Sequence, residues 1–219
     1  MSSYYILNIF EGRSGFGVVV RSDDIADEDK TYYVGAPYIK ANGLVKGMYL
    51  DDETLERLSH TSELRRAVRK AADILSLADY SKIKLVSKLT EKGFDRSLAI
   101  EAALYMEDRG YIKEAEQAAR LASFLAENKL RGKKRIAAEL SAKGYNRAAV
   151  KNAVEQIPDE KFREILTELI RQKYKAPAAD RRENDKRVAA LMRCGFEASD
   201  IIRCLRENDM RYAESEFDD

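Results

Sequence analysis

Glycine recurs along this chain at a fixed interval that indicates a repeat architecture. The interval is 51 residues and it separates Gly93, Gly144 and Gly195, each of which precedes an aromatic residue. Nine positions before each glycine stands a base, and these bases are Lys84, Arg135 and Lys186. A period of this length is typical of repeat proteins, whose units bury their apolar faces against their neighbours. The period therefore favours an extended binding surface over a single catalytic pocket.

The amino-acid composition excludes fewer classes of function than the 51-residue period does. Charged residues make up 35% of the 219 residues, yet 39 bases nearly cancel 38 acids, so that only local clusters can indicate a nucleic-acid partner. No apolar run approaches the roughly 20 residues of a membrane span. Met1-Ser2-Ser3-Tyr4 lacks the basic start of a signal peptide. Two cysteines in so charged a chain fit a reducing compartment, and we expect a cytoplasmic protein without a disulfide framework.

The first 60 residues predict strands. β-branched and aromatic residues fill three short runs, at 4–10, 16–20 and 31–34. Gly12, Gly15 and Gly17 suggest either a hairpin turn or a phosphate-binding loop. A phosphate loop requires Gly-Lys-Ser/Thr at the start of a helix, which is missing here, so we interpret the glycines as a turn. We expect the resulting small antiparallel sheet to pack against the helix that follows it.

From Asp51 onward the chain is predicted to be helical almost to its end. Thr61-Ser62-Glu63 predicts the cap of a first long helix with Leu64 and Val68 on its apolar face. Apolar periodicity then predicts eight further helices, at about 81–92, 96–109, 113–128, 133–143, 147–156, 158–173, 182–194 and 199–207. Each repeat glycine falls at the end of a short helix, where we expect it to adopt the left-handed conformation.

These elements predict a mainly α protein, in which three tandem three-helix modules follow a small N-terminal antiparallel β-sheet. The predicted boundaries are 1–60 for the β domain, 61–111, 112–157 and 158–208 for the three modules, and 209–219 for an acidic tail. Because the modules account for the apolar stripes, we expect a monomer. The tail is expected to be a disordered, solubilising end.

Residues suited to catalysis are scarce, and we predict no catalytic site, no metal and no cofactor. His60 is the single histidine, and its place beside Thr61 predicts a capping or surface role. Cys194 and Cys204 lack the paired spacing of a zinc site. The repeat alignment places Cys194 at the position of Lys92 and Lys143, so we expect it to be partly exposed. It places Cys204 in the core.

Clusters of bases are the candidate binding residues. Five positive charges occur in seven residues with no acid among them: Lys129, Arg131, Lys133, Lys134 and Arg135. A second cluster, diluted by Glu183 and Asp185, contains Arg181, Arg182, Lys186 and Arg187. Lys84 and Lys88 share one face of the first short helix with Lys82. In so charged a chain each cluster also fits a solvated helix face.

Aromatic residues of the helical region are interpreted as core. Tyr105, Phe124 and Phe162 lie on apolar helix stripes, so we expect them to be buried rather than available for stacking on bases.

The motifs around the repeat glycines resemble those of the RecX family of regulatory proteins. Its short helix ending in Leu-x-x-Lys-Gly-aromatic is matched by Leu89–Phe94 and Leu140–Tyr145, and more weakly by Leu191–Phe196. Its Gly-Tyr-Leu step is matched by Gly110-Tyr111-Ile112, and its basic start of the middle module by the segment 131–136. Residues 46–52 are similar to the segment that follows the small sheet in the longer form of the family.

The resemblance implies a function without catalysis. RecX proteins are elongated helical arrays that lie in the groove of the RecA–DNA filament and lower its ATPase, strand-exchange and coprotease activities. The basic clusters would then meet acidic RecA surface or DNA phosphates.

Two other functions remain open from the residues alone. One is direct DNA binding without RecA, by helix pairs that act as helix-turn-helix units. The other is a helical scaffold for an unrelated protein.

Overall fold

The protein is mainly helical, with a small antiparallel sheet at its N-terminal side, which confirms the predicted fold class. The computed structural model describes residues 4–13, 15–23 and 28–215. Within these ranges the sheet has the order β3-β2-β1-β4, formed by β1 (Tyr4–Gly12), β2 (Gly15–Ser22), β3 (Lys30–Val34) and β4 (Tyr49–Leu50). All neighbouring strands are antiparallel. A two-residue strand is too short for a residue pattern to predict, and β4 was not expected.

The glycine-rich segment forms a hairpin, as predicted. Gly12 pairs with Gly15 at the end of the β1–β2 ladder, and Gly15 has a φ of 140°. A side chain at Gly15 would lie 2.5 Å from the carbonyl oxygen of Val34, so only glycine fits there. The apolar face of the sheet is buried around Ile6, Val18 and Val34.

The helix that follows the sheet, α2 (Asp52–Leu75), begins nine residues before the predicted cap. Asp51 supplies the cap, because its carboxylate accepts a 2.7 Å hydrogen bond from the N–H of Thr54. The prediction of a cap at Thr61 was wrong. Ser62 instead accepts a 2.8 Å hydrogen bond from the N–H of Tyr33, and Leu58 joins the core of the sheet. The hydroxyl that resembled a cap thus anchors the helix to β3. A short helix, α1 (Ala36–Ala41), precedes β4.

The chain divides into two compact units. The first contains Met1–Ala78 and Leu85–Tyr111, and the second contains Asp79–Lys84 and Ile112–Asp219. In the first unit, buried alanines of α2 face α4 (Arg96–Asp108), whose buried side chains include Leu98 and Met106. Helix α3 (Lys82–Glu91) starts in the second unit and continues into the first.

The regular secondary structure of the second unit consists of helices alone in its described residues. Its helices are α5 (Glu114–Lys129), α6 (Lys133–Ala142), α7 (Arg147–Glu155), α8 (Asp159–Lys173), α9 (Arg181–Arg193) and α10 (Ala198–Ser215). One apolar core joins them. The bounds agree with the predicted ones to within two residues, except that α10 continues to Ser215, so the predicted tail is helical at its start. Residues 216–219 of that tail lie outside the described ranges.

No helix in the described ranges has both the length and the apolar character that crossing a membrane requires.

The three repeat glycines end α3, α6 and α9 in the left-handed conformation, as predicted. Their φ angles are 88° at Gly93, 83° at Gly144 and 97° at Gly195. The aromatic residue after each glycine is buried. We call these three places the glycine turns. The turns have the same backbone conformation but differ in the residues that pack over them.

Coverage of the glycine turns increases along the chain. A Cβ added at Gly93 would meet no atom within 4 Å, whereas at Gly144 it would lie 2.9 Å from the Ser81 hydroxyl oxygen. At Gly195 it would lie 2.3 Å from the backbone nitrogen of Arg135. Glycine is therefore favoured by backbone conformation alone at the first turn, and also by packing at the other two.

Alanine substitutions at the two outer glycine turns separate these requirements. We expect Gly93→Ala to lower the free energy of unfolding by about 1–2 kcal/mol, the cost of a side chain in the left-handed region. Gly195→Ala should cost about 1–3 kcal/mol more, because its Cβ overlaps the backbone of α6. Urea denaturation of both variants measures the difference, and equal losses would show that packing at Gly195 contributes nothing.

Candidate partner-binding surface

The basic segment 129–135 is held by backbone contacts to the third glycine turn. The N–H of Gly132 donates a 2.8 Å hydrogen bond to the carbonyl of Cys194, and the N–H of Lys134 donates one of 3.2 Å to the carbonyl of Gly195. A Cβ at Gly132 would lie 2.5 Å from the carbonyl atoms of Gly195. The backbones of Gly132 and Gly195, which lack side chains and therefore approach closely, thus hold the start of α6 in place.

The second glycine turn receives an equivalent contact. The hydroxyl of Ser81 donates a 2.7 Å hydrogen bond to the carbonyl of Lys143, and it accepts one of 3.3 Å from the N–H of Lys84. Ser81 and Gly132 each lie twelve residues before a repeat glycine, and Lys143 and Cys194 each lie directly before one. We call this pairing the turn contact. The 51-residue period contains the signal for it, which the sequence analysis missed.

The side chain of Glu114 makes a further contact with the start of α3. Its side chain is 8% exposed and accepts hydrogen bonds from the N–H of Lys82 at 2.8 Å and from the backbone and side-chain nitrogens of Asn146 at 3.2 and 2.5 Å. Asn146 in turn caps α7. One buried carboxylate therefore satisfies donors at two helix starts and positions the bases of α3.

Charges in the segment 129–135 are partly neutralised by two acids that are distant in sequence and by one acid of the same helix. Lys133 pairs with Asp159, Lys134 with Glu197 at 2.9 Å, and Arg135 with Glu139 at 2.7 Å. The cluster that lacks acids in sequence thus acquires them in the fold. All three bases remain exposed, and exposed pairs contribute at most about 1 kcal/mol each, so a partner can replace them.

The other two bases of this segment differ in exposure. Lys129 is exposed, and its ammonium lies 5.8 Å from the ring centroid of Phe124. Arg131 is half-buried, 3.8 Å from a carboxylate oxygen of Glu139 and 4.0 Å from the sulfur of Cys194. Lys129 is therefore available to a partner, whereas Arg131 is turned toward the protein.

The bases of the second cluster also differ in exposure. Arg181, Arg182 and Lys186 are exposed on α9. Arg187 is 8% exposed, donates to the carbonyls of Ala176 and Pro177, and pairs with Glu183 at 2.6 Å. Its guanidinium also lies 4.7 Å from the ring centroid of Tyr174. Since its donors are used inside the protein, Arg187 is removed from the candidate surface.

The environment of Glu183 reflects the same contacts. Hydrogen bonds from the N–H of Ala179 and from Arg187 lower the pKa of its carboxyl below the ordinary value. The carboxylate is thereby held in the charged form that pairs with Arg187.

Bases occupy the first turns of the three helices that precede the glycine turns. Helices α3 and α6 have no acid in their first turn, while α9 has Glu183. A helix N-terminus favours negative charge by about 0.3–1 kcal/mol per residue, so bases there oppose stability. Residues that break a local rule without a structural gain are candidates for function.

Three bases near these helix starts are equivalent in the repeat, two in the first turns of α3 and α6 and one in the second turn of α9. Lys84, Arg135 and Lys186 each lie nine residues before a glycine turn, and all three are exposed. Lys88, one turn further along α3 from Lys84, is half-buried. The fold therefore presents one accessible base at the same position of each repeat.

Aromatic side chains follow the core prediction only in part. Phe162 is buried, but Tyr105 is 42% exposed and Phe124 is 47% exposed. Arg109 lies 5.0 Å from the ring centroid of Tyr105. The prediction was wrong for Tyr105 and Phe124, because each helix has a wider apolar stripe than its neighbours cover.

Chemically reactive residues are dispersed. His60 lies within α2, with its Nε2 2.9 Å from a carboxylate oxygen of Glu101, so its surface role is confirmed and its capping role was wrong. Cys204 is buried, as predicted, but so is Cys194, whose turn is covered by Gly132. Among the described residues, no group of three histidines, cysteines or acids is arranged to hold a metal ion.

Loss of the Glu114 carboxylate should loosen two helix starts at once. We expect Glu114→Ala to lower the free energy of unfolding by about 2–3 kcal/mol, because it removes the acceptor of three hydrogen bonds at two partly buried helix starts. Glu116→Ala, at an exposed position of the same helix, is the matched control. Chemical denaturation distinguishes them, and a loss no larger than that of the control would contradict the role of Glu114.

Replacement of Arg187 should affect stability, whereas replacement of its neighbour should not. We expect Arg187→Ala to cost about 2–3 kcal/mol through its lost buried hydrogen bonds. Lys186→Ala should remain within about 0.5 kcal/mol of the unmodified protein. Thermal and urea denaturation measure both variants, and a neutral Arg187→Ala would return this arginine to the candidate surface.

Comparisons with known proteins identify relatives. No protein-family model matches the chain. Three curated proteins named "Regulatory protein RecX" are similar: one from Oceanobacillus iheyensis at 24% identity over 168 residues, one from Leuconostoc mesenteroides at 26% over 174, and one from Clostridioides difficile at 26% over 166. Each match covers 75–76% of this chain. The chain spans 62% and 65% of the first two relatives, less than two thirds of their length, and 78% of the third.

Two solved structures share the fold. A crystal structure of regulatory protein RecX superposes with a TM-score of 0.71 at 20% identity, over 90% of this chain and 96% of that one. RecX from Lactobacillus salivarius superposes with a TM-score of 0.61 at 19% identity, over 68% of this chain and 97% of that one. The curated relatives support a RecX family protein, in agreement with the resemblance in the glycine motifs, and the two solved structures show the shared fold.

Proposed function

We propose that this RecX family protein is a non-catalytic regulator that binds RecA–DNA filaments and lowers their ATPase, strand-exchange and coprotease activities. The proposal is supported by the similarity to proteins named "Regulatory protein RecX". The structural observation that carries it is the accessible base at the same position of each repeat, Lys84, Arg135 and Lys186.

A periodic set of bases suits a periodic partner. A RecA–DNA filament offers the same acidic surface and the same phosphates at every protomer step, so one base per repeat can meet one acid or phosphate per step. A single small ligand would leave two of the three bases without a contact.

The remaining exposed bases extend this surface. Lys129, Lys133, Lys134, Arg181 and Arg182 are exposed on or beside the same helix starts. Lys133 and Lys134 must exchange their present acids for those of the partner, which the low cost of surface pairs permits. Lys88 and Arg131 are half-buried and contribute at the margin of the surface.

Organisation and location form part of the proposal. The three-helix modules 61–111, 112–157 and 158–208 are proposed as its repeat units, and the protein acts as a monomer in the cytoplasm. Both cysteines are free and buried, which suits a reducing compartment.

Direct DNA binding is the second candidate function, and it is favoured by the exposed arginines at the start of α9. Phosphate contacts would make binding strongly dependent on salt. Equal affinity for naked single-stranded DNA and for RecA-coated DNA would establish this function in place of filament binding.

Charge reversal of the periodic bases tests the filament proposal. The triple variant Lys84→Glu, Arg135→Glu and Lys186→Glu should weaken inhibition of the RecA ATPase on single-stranded DNA at least tenfold, because each base turns from attraction to repulsion. The readout is ATP hydrolysis against a titration of the protein from substoichiometric amounts upward.

A control variant removes the effect of net charge. Arg13→Glu, Lys40→Glu and Lys46→Glu change the total charge by the same amount at exposed positions of the N-terminal part. This control should inhibit as the unmodified protein does. If both triple variants inhibit normally, the periodic bases are not the contact surface; if the unmodified protein leaves RecA activity unchanged, the regulatory function itself is excluded.

A further inference from the structure

Two of the three glycine turns are occupied in the same way. At Gly144 and Gly195 the carbonyl before the glycine accepts a hydrogen bond from the start of a helix, supplied by Ser81 and Gly132. The occupying residue is small in both cases. It also sits where a Cβ on the turn glycine would be, since such a Cβ would lie 2.9 Å from the Ser81 oxygen and 2.8 Å from the Gly132 oxygen.

The turn at Gly93 is an unoccupied copy of the same site. Its φ of 88° matches those of the other two turns, and its aromatic residue, Phe94, is buried like theirs. Lys92 and Gly93 are exposed, whereas Gly144 is half-buried and Gly195 is buried. Among the described residues no hydrogen bond to the Lys92 carbonyl is found, and nothing lies within 4 Å of a Cβ at Gly93.

The two occupied turns define what fits the open one. The occupant is the N-terminus of a helix whose first position holds serine or glycine, because a larger residue would strike the turn. The positive end of that helix meets the carbonyl at the C-terminal, negative end of α3. The attraction between opposite helix ends adds to the hydrogen bond.

The third repeat of a second copy of this chain offers no suitable helix start. The position of α9 equivalent to Ser81 and Gly132 is Glu183. This residue lies inside the helix, and its carboxylate is held by Ala179 and Arg187. The third repeat therefore cannot make the turn contact with the first repeat of another copy.

We propose that the Gly93 turn docks the N-terminus of a serine- or glycine-capped helix on a partner protein. The identity of the partner rests on the proposed function: the helix belongs to a RecA protomer of the filament. The partner helix then makes the turn contact with the Gly93 turn, just as the start of α3 makes it with the Gly144 turn and the start of α6 with the Gly195 turn.

A substitution at Gly93 fills the docking position without disturbing the fold. Gly93→Asn places a Cβ in open space, and asparagine tolerates positive φ better than most residues. Gly110→Asn is the matched control, since Gly110 has a φ of 75°, equally open space and no place in the repeat of glycine turns. Circular dichroism and thermal denaturation verify that both variants fold.

The measurement is binding of each fluorescently labelled variant to RecA filaments on single-stranded DNA. We expect Gly93→Asn to bind at least tenfold more weakly than the unmodified protein, and Gly110→Asn to bind equally well. Normal binding by Gly93→Asn overturns the docking site. An equal loss for naked single-stranded DNA also overturns it, because the contact is then with nucleic acid. Failure of the unmodified protein to bind filaments overturns the proposed function and, with it, this partner.

Cross-linking gives a second readout that does not depend on the stability of the glycine variants. Lys92→Cys carries a photoreactive label beside the open turn, and Arg109→Cys carries the same label at another exposed position; Cys194 and Cys204 are buried. Lys92→Cys should cross-link to RecA at the start of a helix with a serine or glycine cap. Cross-links elsewhere on RecA, or equal yields from Arg109→Cys, contradict the proposal.

Discussion

The close approach of two backbones at a glycine turn is the contact on which the second unit depends. Gly132 and Gly195 come near enough that neither position has space for a Cβ, and two N–H groups of the segment 132–134 are satisfied there. The same arrangement recurs at Gly144, where the Ser81 hydroxyl replaces the backbone donor. Because helix starts and helix ends both carry unpaired backbone groups, joining one to the other satisfies both.

This contact also accounts for the placement of the bases. A helix start that is anchored through its backbone leaves its side chains directed to solvent, so Lys84 and Arg135 are exposed although their helices are firmly held. The protein tolerates the unfavourable interaction of these bases with the helix dipole because backbone anchoring and Glu114 stabilise the helix starts independently. Backbone atoms thus hold these helix starts, while the side chains of the same residues remain accessible to the proposed partner.

Pattern reasoning succeeded where local chemistry decides. The bounds of the helices from α3 to α9, the hairpin and the three left-handed glycines follow from apolar period and residue conformational preference. It failed where a distant segment intervenes. Cys194 was expected to be exposed because its repeat equivalents are lysines, yet Gly132 covers it; Ser62 resembled a cap, yet it binds Tyr33. The acids that pair with the basic segment, such as Asp159 and Glu197, come from other helices and leave no local signal.

The sequence by itself determined the helices, the turns and the repeat, because a 3.6-residue apolar period and a glycine at positive φ are properties of short segments. It also carried the glycine motifs that resemble those of the RecX family. Only the tertiary structure decided which bases are accessible, since exposure depends on what packs nearby: Arg187 is used inside the protein, while Lys186 beside it is exposed. Likewise, three turns with the same backbone conformation became two covered turns and one open one, because Gly144 and Gly195 are each covered by a helix start that precedes them by 63 residues and Gly93 is not.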